Sequence, residues 1–496
     1  MSYSVDDVLG RAGQKRPRRW IRAVTVLAFL AGAPVVAHVV IDATTQIAAP
    51  PTGYAPPGSV VESNGVRHFG SSYARRSAGI NEVYLEGTPE QIGGAHSRLL
   101  RAGMIDDEAE LWGDFAYYVP IAPARSLMMD IGRVRYRNVE HNFPEERRRE
   151  IAAEAEGFQP DPFAFHLATY HRLVFLHSLY DIALSFEHSP LIGCSAFVLG
   201  PGATRDGHTL LGRAFDFEAG EQFDRDKAVF FVREEGAIPF ASVAWPGLVG
   251  VMSGMNAEGV AIVVNGGRAR EPRTEGEPVV FALRDVLEHA HDVGEAVAML
   301  RAQQVMVSHL VLVADASGAS AIVERAPGAT ATVRASPDPD RVALTNHFEG
   351  PLADDPRNLA VRQKTTTEPR RARLDELLKA VVPHEADTSR AVAILRDHQC
   401  AGGAPCPLGD RREIDALIAT HGIVADTTDR VLWVSAGPHL SGAFVRFDLK
   451  AIFAPGHRPE DDPPPQIIPS DPILDDGRYA TGVAHAGRPH VGGDAQ

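Results

Sequence analysis

The residues best able to do covalent chemistry are three thiols, Cys194, Cys400 and Cys406. Cys400-Ala-Gly-Gly-Ala-Pro-Cys406 is a short, flexible loop that could close on itself as a disulfide, a bond that persists in oxidising compartments. Two unrelated loop thiols are the plainer alternative, and a zinc pair has only His398 close by as a further ligand. Pairing the two leaves Cys194 as the odd thiol, and reactivity is one reason to keep one. Suppose the bond between Gly193 and Cys194 is cut. Cys194 then carries a thiol and an α-amine, the amine with a reference pKa of about 7.7 to 8.0, so one residue supplies both nucleophile and base. Gly193 suits the cut, because without a Cβ it tolerates strained dihedrals and leaves its carbonyl open to the thiol. Taken alone, Cys194 reads more simply as a buried thiol at a strand start.

The surrounding pattern places this thiol at a junction. Upstream, Glu82 to Gly87 reads as a strand, and Thr88-Pro-Glu-Gln opens a helix with a capping residue, a proline in the first turn and an acid. Helical patterns continue to about Ser185, through Pro144–Gly157 and Phe163–Leu184. At Gly193 the character changes. Cys194-Ser-Ala-Phe-Val-Leu and Thr209 to Phe217 read as two strands of a hairpin around Asp206-Gly207. Strands are expected at 228–233, 240–244, 249–252, 260–265, 309–314, 321–325, 431–435 and 443–447, with helices at 278–301 and 371–382. The second half is therefore an antiparallel α+β unit.

Around this core the expected organisation is a basic cytoplasmic segment (1–22) and an apolar run (23–41) of bilayer-spanning length, read as a transmembrane anchor or signal. Arg18-Arg19 also permits a twin-arginine route. A Pro/Gly/Ser-rich linker (42–79), a mainly helical α segment (80–193), a catalytic domain (194–454) and a Pro/Asp-rich tail (455–496), disordered or draped on the surface, follow. This order places the catalytic domain outside the cytoplasm, membrane-anchored or secreted. A net charge of −15 argues against nucleic acid as a partner. Neither paired histidine ligands nor a phosphate-cradling Gly-rich loop is present, so no metal and no cofactor are expected.

The motifs Gly193-Cys-Ser-Ala-Phe197, Leu211-Gly-Arg-Ala-Phe-Asp-Phe217 and Gly254-Met-Asn-Ala-Glu-Gly-Val260 resemble the isopenicillin N acyltransferase family of N-terminal-nucleophile cysteine hydrolases. The likeness continues in Leu85 to Leu100, Ala343-Leu-Thr-Asn-His-Phe348 and Leu432-Trp-Val434, covering roughly residues 80 to 450. Choloylglycine hydrolases, penicillin V acylases and acid ceramidase are the family's wider relatives. The resemblance implies a four-layer αββα sandwich of two antiparallel sheets, preceded by a helical propeptide. It makes Cys194 the nucleophile and self-cleavage residue, with Asp216 holding its α-amine, Arg213 lining the thiol and Asn265 serving as oxyanion donor. It further implies Asn346 as a second polar site residue and Arg370 as the downstream arginine, with Arg371 and Arg373 competing.

Each of these has a plainer reading. Arg213 and Asp216 make a surface cross-strand ion pair, worth about 0.2 to 1 kcal/mol. Asn256 and Asn265 shape turns, Asn346-His347 is a loop end, and the arginine cluster at 370–373 is a solvated helix start. The expected activity is a self-activated amidohydrolase or acyltransferase on a small amide or N-acylated substrate. The alternatives are a membrane-tethered, inactive binding protein of the same fold, and an ester or phospholipid hydrolase.

Overall fold

The computed structural model describes residues 17–186, 192–217 and 220–486, and its contacts divide the chain into two compact units. The smaller, whose described residues are 17–47 and 121–137, is built on the helices Pro17–Thr44 and Ala122–Arg135. The expected membrane span at 23–41 does fold as helix, yet no helix among the described residues is long and apolar enough to cross a membrane. His38 bonds Asp130 at 2.9 Å and Asp42 bonds Arg133 at 2.7 Å. Ionic partners of this kind are expensive in hydrocarbon.

The larger unit holds the sheets. β1 (Val61–Ser63), β2 (Val66–Phe69), β3 (Ser72–Ser77) and β4 (Ile80–Gly87) precede the long helices, and β5 (Ile192–Leu199) and β6 (Leu210–Phe217) form the expected hairpin. β7 (Ala228–Glu234), β8 (Phe240–Ala244), β9 (Ser253–Asn256), β10 (Ala261–Gly266), β11 (His309–Ala314), β12 (Ser320–Arg325) and β13 (Thr332–Arg334) complete one sheet in the order β1-β2-β3-β4-β7-β8-β9-β10-β11-β12-β13. β14 (Arg341–Leu344), β15 (Ala419–Asp426), β16 (Val431–Ser435), β17 (Phe444–Asp448) and β18 (Ile467–Ile468) join the hairpin in a second, ordered β14-β5-β6-β15-β16-β17-β18.

Strand alternation decides what each face does. Val198, Leu211, Ile423 and Val434 of the second sheet pack on Phe231, Val243, Val263 and Leu312 of the first, forming the core between the sheets. Their neighbours Phe197, Leu199, Leu210 and Ala214 point outward, against Leu374 and Leu378 of the helix Thr367–Lys379 and Val392 and Leu395 of Thr388–Leu395. The helices Val279–His289 and Val293–Ala302 cover the first sheet, where a single helix over 278–301 was expected. The result is the four-layer αββα arrangement.

Several expectations need correction. The linker at 42–79 carries β1 to β3, because Val66, Phe69, Tyr73 and Ala74 bury their side chains in the sheet. β4 lies parallel to β7, so the first sheet is not wholly antiparallel and the segment 80–193 is more than a helical propeptide. The tail at 455–496 is ordered to residue 486: β18 pairs with β17, Ile473 is buried, and the helix Arg478–Ala486 follows. Residues 249–252 form a loop instead of a strand, with β9 starting at Ser253. Thr88 makes the reciprocal capping box with Gln91 at the head of the helix Pro89–Tyr118, and Cys400 and Cys406 are joined as a disulfide.

A buried ionic cluster fastens the helical segment to the sheet. Arg284 reaches Glu150 at 2.9 Å, Glu234 at 2.8 Å and Glu288 at 2.7 Å, and Arg147 bonds Glu150 at 2.6 Å and also Glu234. These groups come from the helix Glu145–Gly157, β7 and the helix Val279–His289. Removing one cation leaves three buried carboxylates facing a single arginine, and breaking such a buried pair costs about 3–5 kcal/mol. Arg284→Ala is expected to lower unfolding free energy by about that amount in a denaturant titration, while Arg458→Ala on the surface changes it by less than about 0.5 kcal/mol.

Candidate active site

Hairpin register puts Cys194 opposite Phe215 and Gly193 opposite Asp216. Because side chains alternate, Cys194 and Arg213 share the face between the sheets, whereas Gly193 and Asp216 belong to the outer face. The surface ion pair between Arg213 and Asp216 is therefore not what forms.

Arg213 is fully buried, 0% exposed, as is Cys194. Its Nη2 donates to Cys194 Sγ at 3.4 Å and to the Val264 carbonyl at 2.6 Å, and its Nη1 donates to the Met252 carbonyl at 3.2 Å and to Ser253 Oγ. The guanidinium lies 4.2 Å from the Phe215 ring centroid. A cation fixed by neutral acceptors keeps its charge for the sulfur. Burial raises the thiol pKa, and Arg213 and then Arg370 oppose that rise while Asp216 adds to it.

On the other side of Cys194 a second arginine does comparable work. Arg370 is buried on the helix Thr367–Lys379, not solvated at its start. Nη1 donates to the Cys194 carbonyl at 2.6 Å and to Ser195 Oγ at 2.9 Å, and Nη2 donates to Asn346 Oδ1 at 2.7 Å. The same Asn346 Oδ1 accepts the Cys194 backbone N–H at 2.9 Å, and Asn346 Nδ2 donates to the Gly266 carbonyl at 2.9 Å. Asn346, just beyond β14, thus ties the nitrogen of Cys194 to the end of β10. Asn265 Nδ2 donates to the carbonyls of Cys194 at 3.3 Å and Thr345 at 3.1 Å. The competitors separate cleanly: Arg371 pairs with Glu349 and Asp375, and Arg373 with Asp397 and Glu376.

Asp216 completes the group. A Cβ built on Gly193 would stand 3.2 Å from Asp216 Oδ2 and 3.8 Å from Arg370 Nη2, so the carboxylate lies against the residue preceding the thiol. Asp216 Oδ1 is buried without a hydrogen-bond partner. Burial pushes this acid up to about 6, against the pull of Arg370.

Gly193, Cys194, Arg213, Asp216, Asn265, Asn346 and Arg370 are thereby gathered from β5, β6, β10, the end of β14 and one helix. Ser253, His421 and Thr367 were not singled out by the sequence. His421 Nε2 lies 2.9 Å from Ser253 Oγ behind Arg213, and burial holds this imidazole neutral, well below its usual range. Thr367 Oγ1 accepts the Asn346 N–H at 2.8 Å. Ser253 adjoins the Gly254-Met-Asn motif, a usable signal; His421 and Thr367 carry none. Asn256 is the turn residue expected, its Oδ1 accepting from Glu258 and Val260 N–H. Away from the site, His208, Asp426 and Asp429 offer ligand atoms close enough to hold a metal ion, although His208 already bonds Asp426 at 2.9 Å.

Residues 203–407 match the model of the family described as acyl-coenzyme A:6-aminopenicillanic acid acyl-transferase, so the resemblance carried by the motifs is borne out. The matched stretch begins after Cys194 and takes in Arg213, Asp216, Asn265, Asn346 and Arg370. An uncharacterised protein of Archaeoglobus fulgidus is 26% identical over 253 residues, which are 48% of this chain and 41% of that protein; the chain thus spans well under two thirds of that relative. Among solved structures, penicillin V acylase from Agrobacterium tumefaciens is similar with 19% identity and a TM-score of 0.34, over 51% of this chain and 91% of that one. The Caenorhabditis elegans ortholog of N-acylethanolamine-hydrolyzing acid amidase has 17% identity and a TM-score of 0.33, over 47% and 93%. A mutant conjugated bile acid hydrolase from Clostridium perfringens has 11% identity and a TM-score of 0.30, over 56% and 97%.

The raised pKa of Asp216 gives a sign that can be measured. The fold favours the protonated acid, so this contribution to stability is complete below the ordinary 3.8 and is lost as pH rises through about 6. At about 1.4 kcal/mol per pH unit, that loss is on the order of 3 kcal/mol. Asp216→Asn cannot titrate, so in the uncut Cys194→Ala chain its unfolding free energy relative to the Cys194→Ala parent is expected to improve by that order between pH 4 and pH 7 in parallel denaturant titrations.

Proposed function

We propose that this chain is an N-terminal-nucleophile cysteine amidohydrolase that cuts itself between Gly193 and Cys194 and then cleaves the amide bond of a small N-acylated substrate. The observation that carries this reading is the enclosure of Cys194: an arginine on its sulfur, an asparagine oxygen on its nitrogen, and a second arginine and asparagine on its carbonyl. A structural thiol at a strand start has no need of two buried cations, each costly to desolvate.

In the uncut chain the thiol attacks the Gly193 carbonyl carbon. The C–S bond forms, the Gly193–Cys194 C–N bond breaks, and the thiol proton passes to the leaving nitrogen. Water then opens the thioester, leaving a carboxylate on Gly193 and an α-amine on Cys194. The Cys194 nitrogen already rests on Asn346 Oδ1, and the unpaired oxygen of Asp216 supplies a counter-charge as it becomes an ammonium. In turnover the amine accepts the thiol proton, the sulfur attacks the substrate carbonyl, and the amine returns the proton to the leaving nitrogen. Asn265 and backbone N–H groups take the oxyanion role. Water as acceptor gives hydrolysis, and a second amine gives acyl transfer.

Intact-mass spectrometry of the purified protein checks the first step. A fragment beginning at Cys194 is expected in the wild type and absent in Cys194→Ala, with amide hydrolysis lost in that variant by at least about a thousandfold. Undivided wild-type chain with full amidase activity would contradict self-cleavage.

A further inference from the structure

A cavity lies between the helices Pro89–Tyr118, Thr169–His177 and Leu179–Ser185 and the strands behind them, walled by carbon from Leu111, Leu173, Leu176, Phe217 and Trp245. It reaches Phe215, the cross-strand partner of Cys194, and Met252, whose carbonyl holds Arg213. Cys194 does not itself line the cavity, but these two neighbours bring it close to the proposed nucleophile, where it suits the acyl part of a substrate.

Two acids break this apolar wall. Glu108 is committed, bonding Arg172 at 2.5 Å and accepting the Trp112 indole N–H at 3.0 Å. Asp107 is not. It is 4% exposed, it stands one turn from Met104 and Leu111 on the cavity face of the helix, and neither of its carboxyl oxygens has a hydrogen-bond partner. The charged groups that influence it, Asp106, Glu110 and Asp226, are all acidic, and burial with their repulsion pushes it up to about 9. A buried acid without donors is a standing cost to the fold, and such groups are uncommon unless something else satisfies them.

We propose, on the footing of the amidohydrolase reading above, that Asp107 determines acyl-group specificity by selecting substrates whose acyl chain carries a basic amino group. Such a chain buries its methylenes along the leucine and aromatic wall and brings an ammonium to the unpartnered carboxyl. The acidic neighbours then favour the bound cation.

Wild type, Asp107→Asn and Asp107→Leu are compared by kcat/KM on p-nitroanilides of straight-chain acids of graded length. Each length is presented plain, with a terminal hydroxyl, and with a terminal amine. At its best length the wild type is expected to prefer the amine over the plain chain by roughly tenfold or more, the tenfold step that a good polar contact is worth. Asp107→Asn loses the preference, and Asp107→Leu reverses it while raising Tm, since an unpaired buried acid has gone. Preference for the plain or hydroxyl chains at every length, or an amine preference unmoved in Asp107→Leu, would overturn the proposal and leave the amidohydrolase intact. Hydrolysis of no substrate by protein that has formed the Cys194 fragment would overturn both.

Discussion

The hairpin of β5 and β6 buries an arginine against Cys194 from each of its two faces, and the site depends on that. Arg213 enters from the core between the sheets and touches the sulfur; Arg370 enters from the outer helix layer and holds the backbone carbonyl. Neither cation has a carboxylate within salt-bridge distance among the described residues, so each is paid for by backbone carbonyls, hydroxyls and an asparagine. Desolvated guanidinium groups held by neutral acceptors stabilise negative charge where it appears, which is what a thiolate or a tetrahedral oxyanion requires.

The same hairpin explains why the segment ahead of the proposed cut is not a detachable propeptide. β4 contributes a strand to the middle of the first sheet, parallel to β7, and the cluster of Arg147, Arg284, Glu150, Glu234 and Glu288 joins helix to strand beneath it. Parallel pairing needs a long connection between its strands, and here that connection contains Gly193. A break there frees a terminus without removing a strand from the sheet. The cavity that reaches Phe215 is built from both sides of Gly193, with the helix Pro89–Tyr118 on one side and Phe215, Trp245 and Met252 on the other.

Much of this was legible beforehand. Alternating apolar residues and the Asp206-Gly207 turn placed the hairpin, and Thr88 with Gln91 marked a helix start, because those signals are local. The assignment of Arg370 over Arg371 and Arg373 was not local. Three arginines within one helical turn point in different directions, and only the packing of that helix on β14 and β5 decides which meets Cys194. β4's parallel partner was likewise hidden, since a buried strand reads the same whichever neighbour it pairs with. In the apolar run at 23–41 the pairing of the polar residues was hidden too. Its composition suits a bilayer, yet His38 within it and Asp42 just after it are matched by Asp130 and Arg133, which hydropathy alone does not reveal. Asp107 carries no signal in the sequence, because an acid inside a helical stretch ordinarily faces water.

The central claim is that Cys194, as a new N-terminus, carries the acyl group during turnover. Mixing the processed protein with excess N-acyl substrate, quenching in acid within the first turnovers and mapping the peptides by mass spectrometry tests it directly. The account predicts the acyl mass on the peptide that begins with Cys194, released by hydroxylamine as a thioester is. Acyl mass on Ser195 or elsewhere, or turnover with no acylated peptide and an unmodified Cys194 that alkylation leaves fully active, would contradict it.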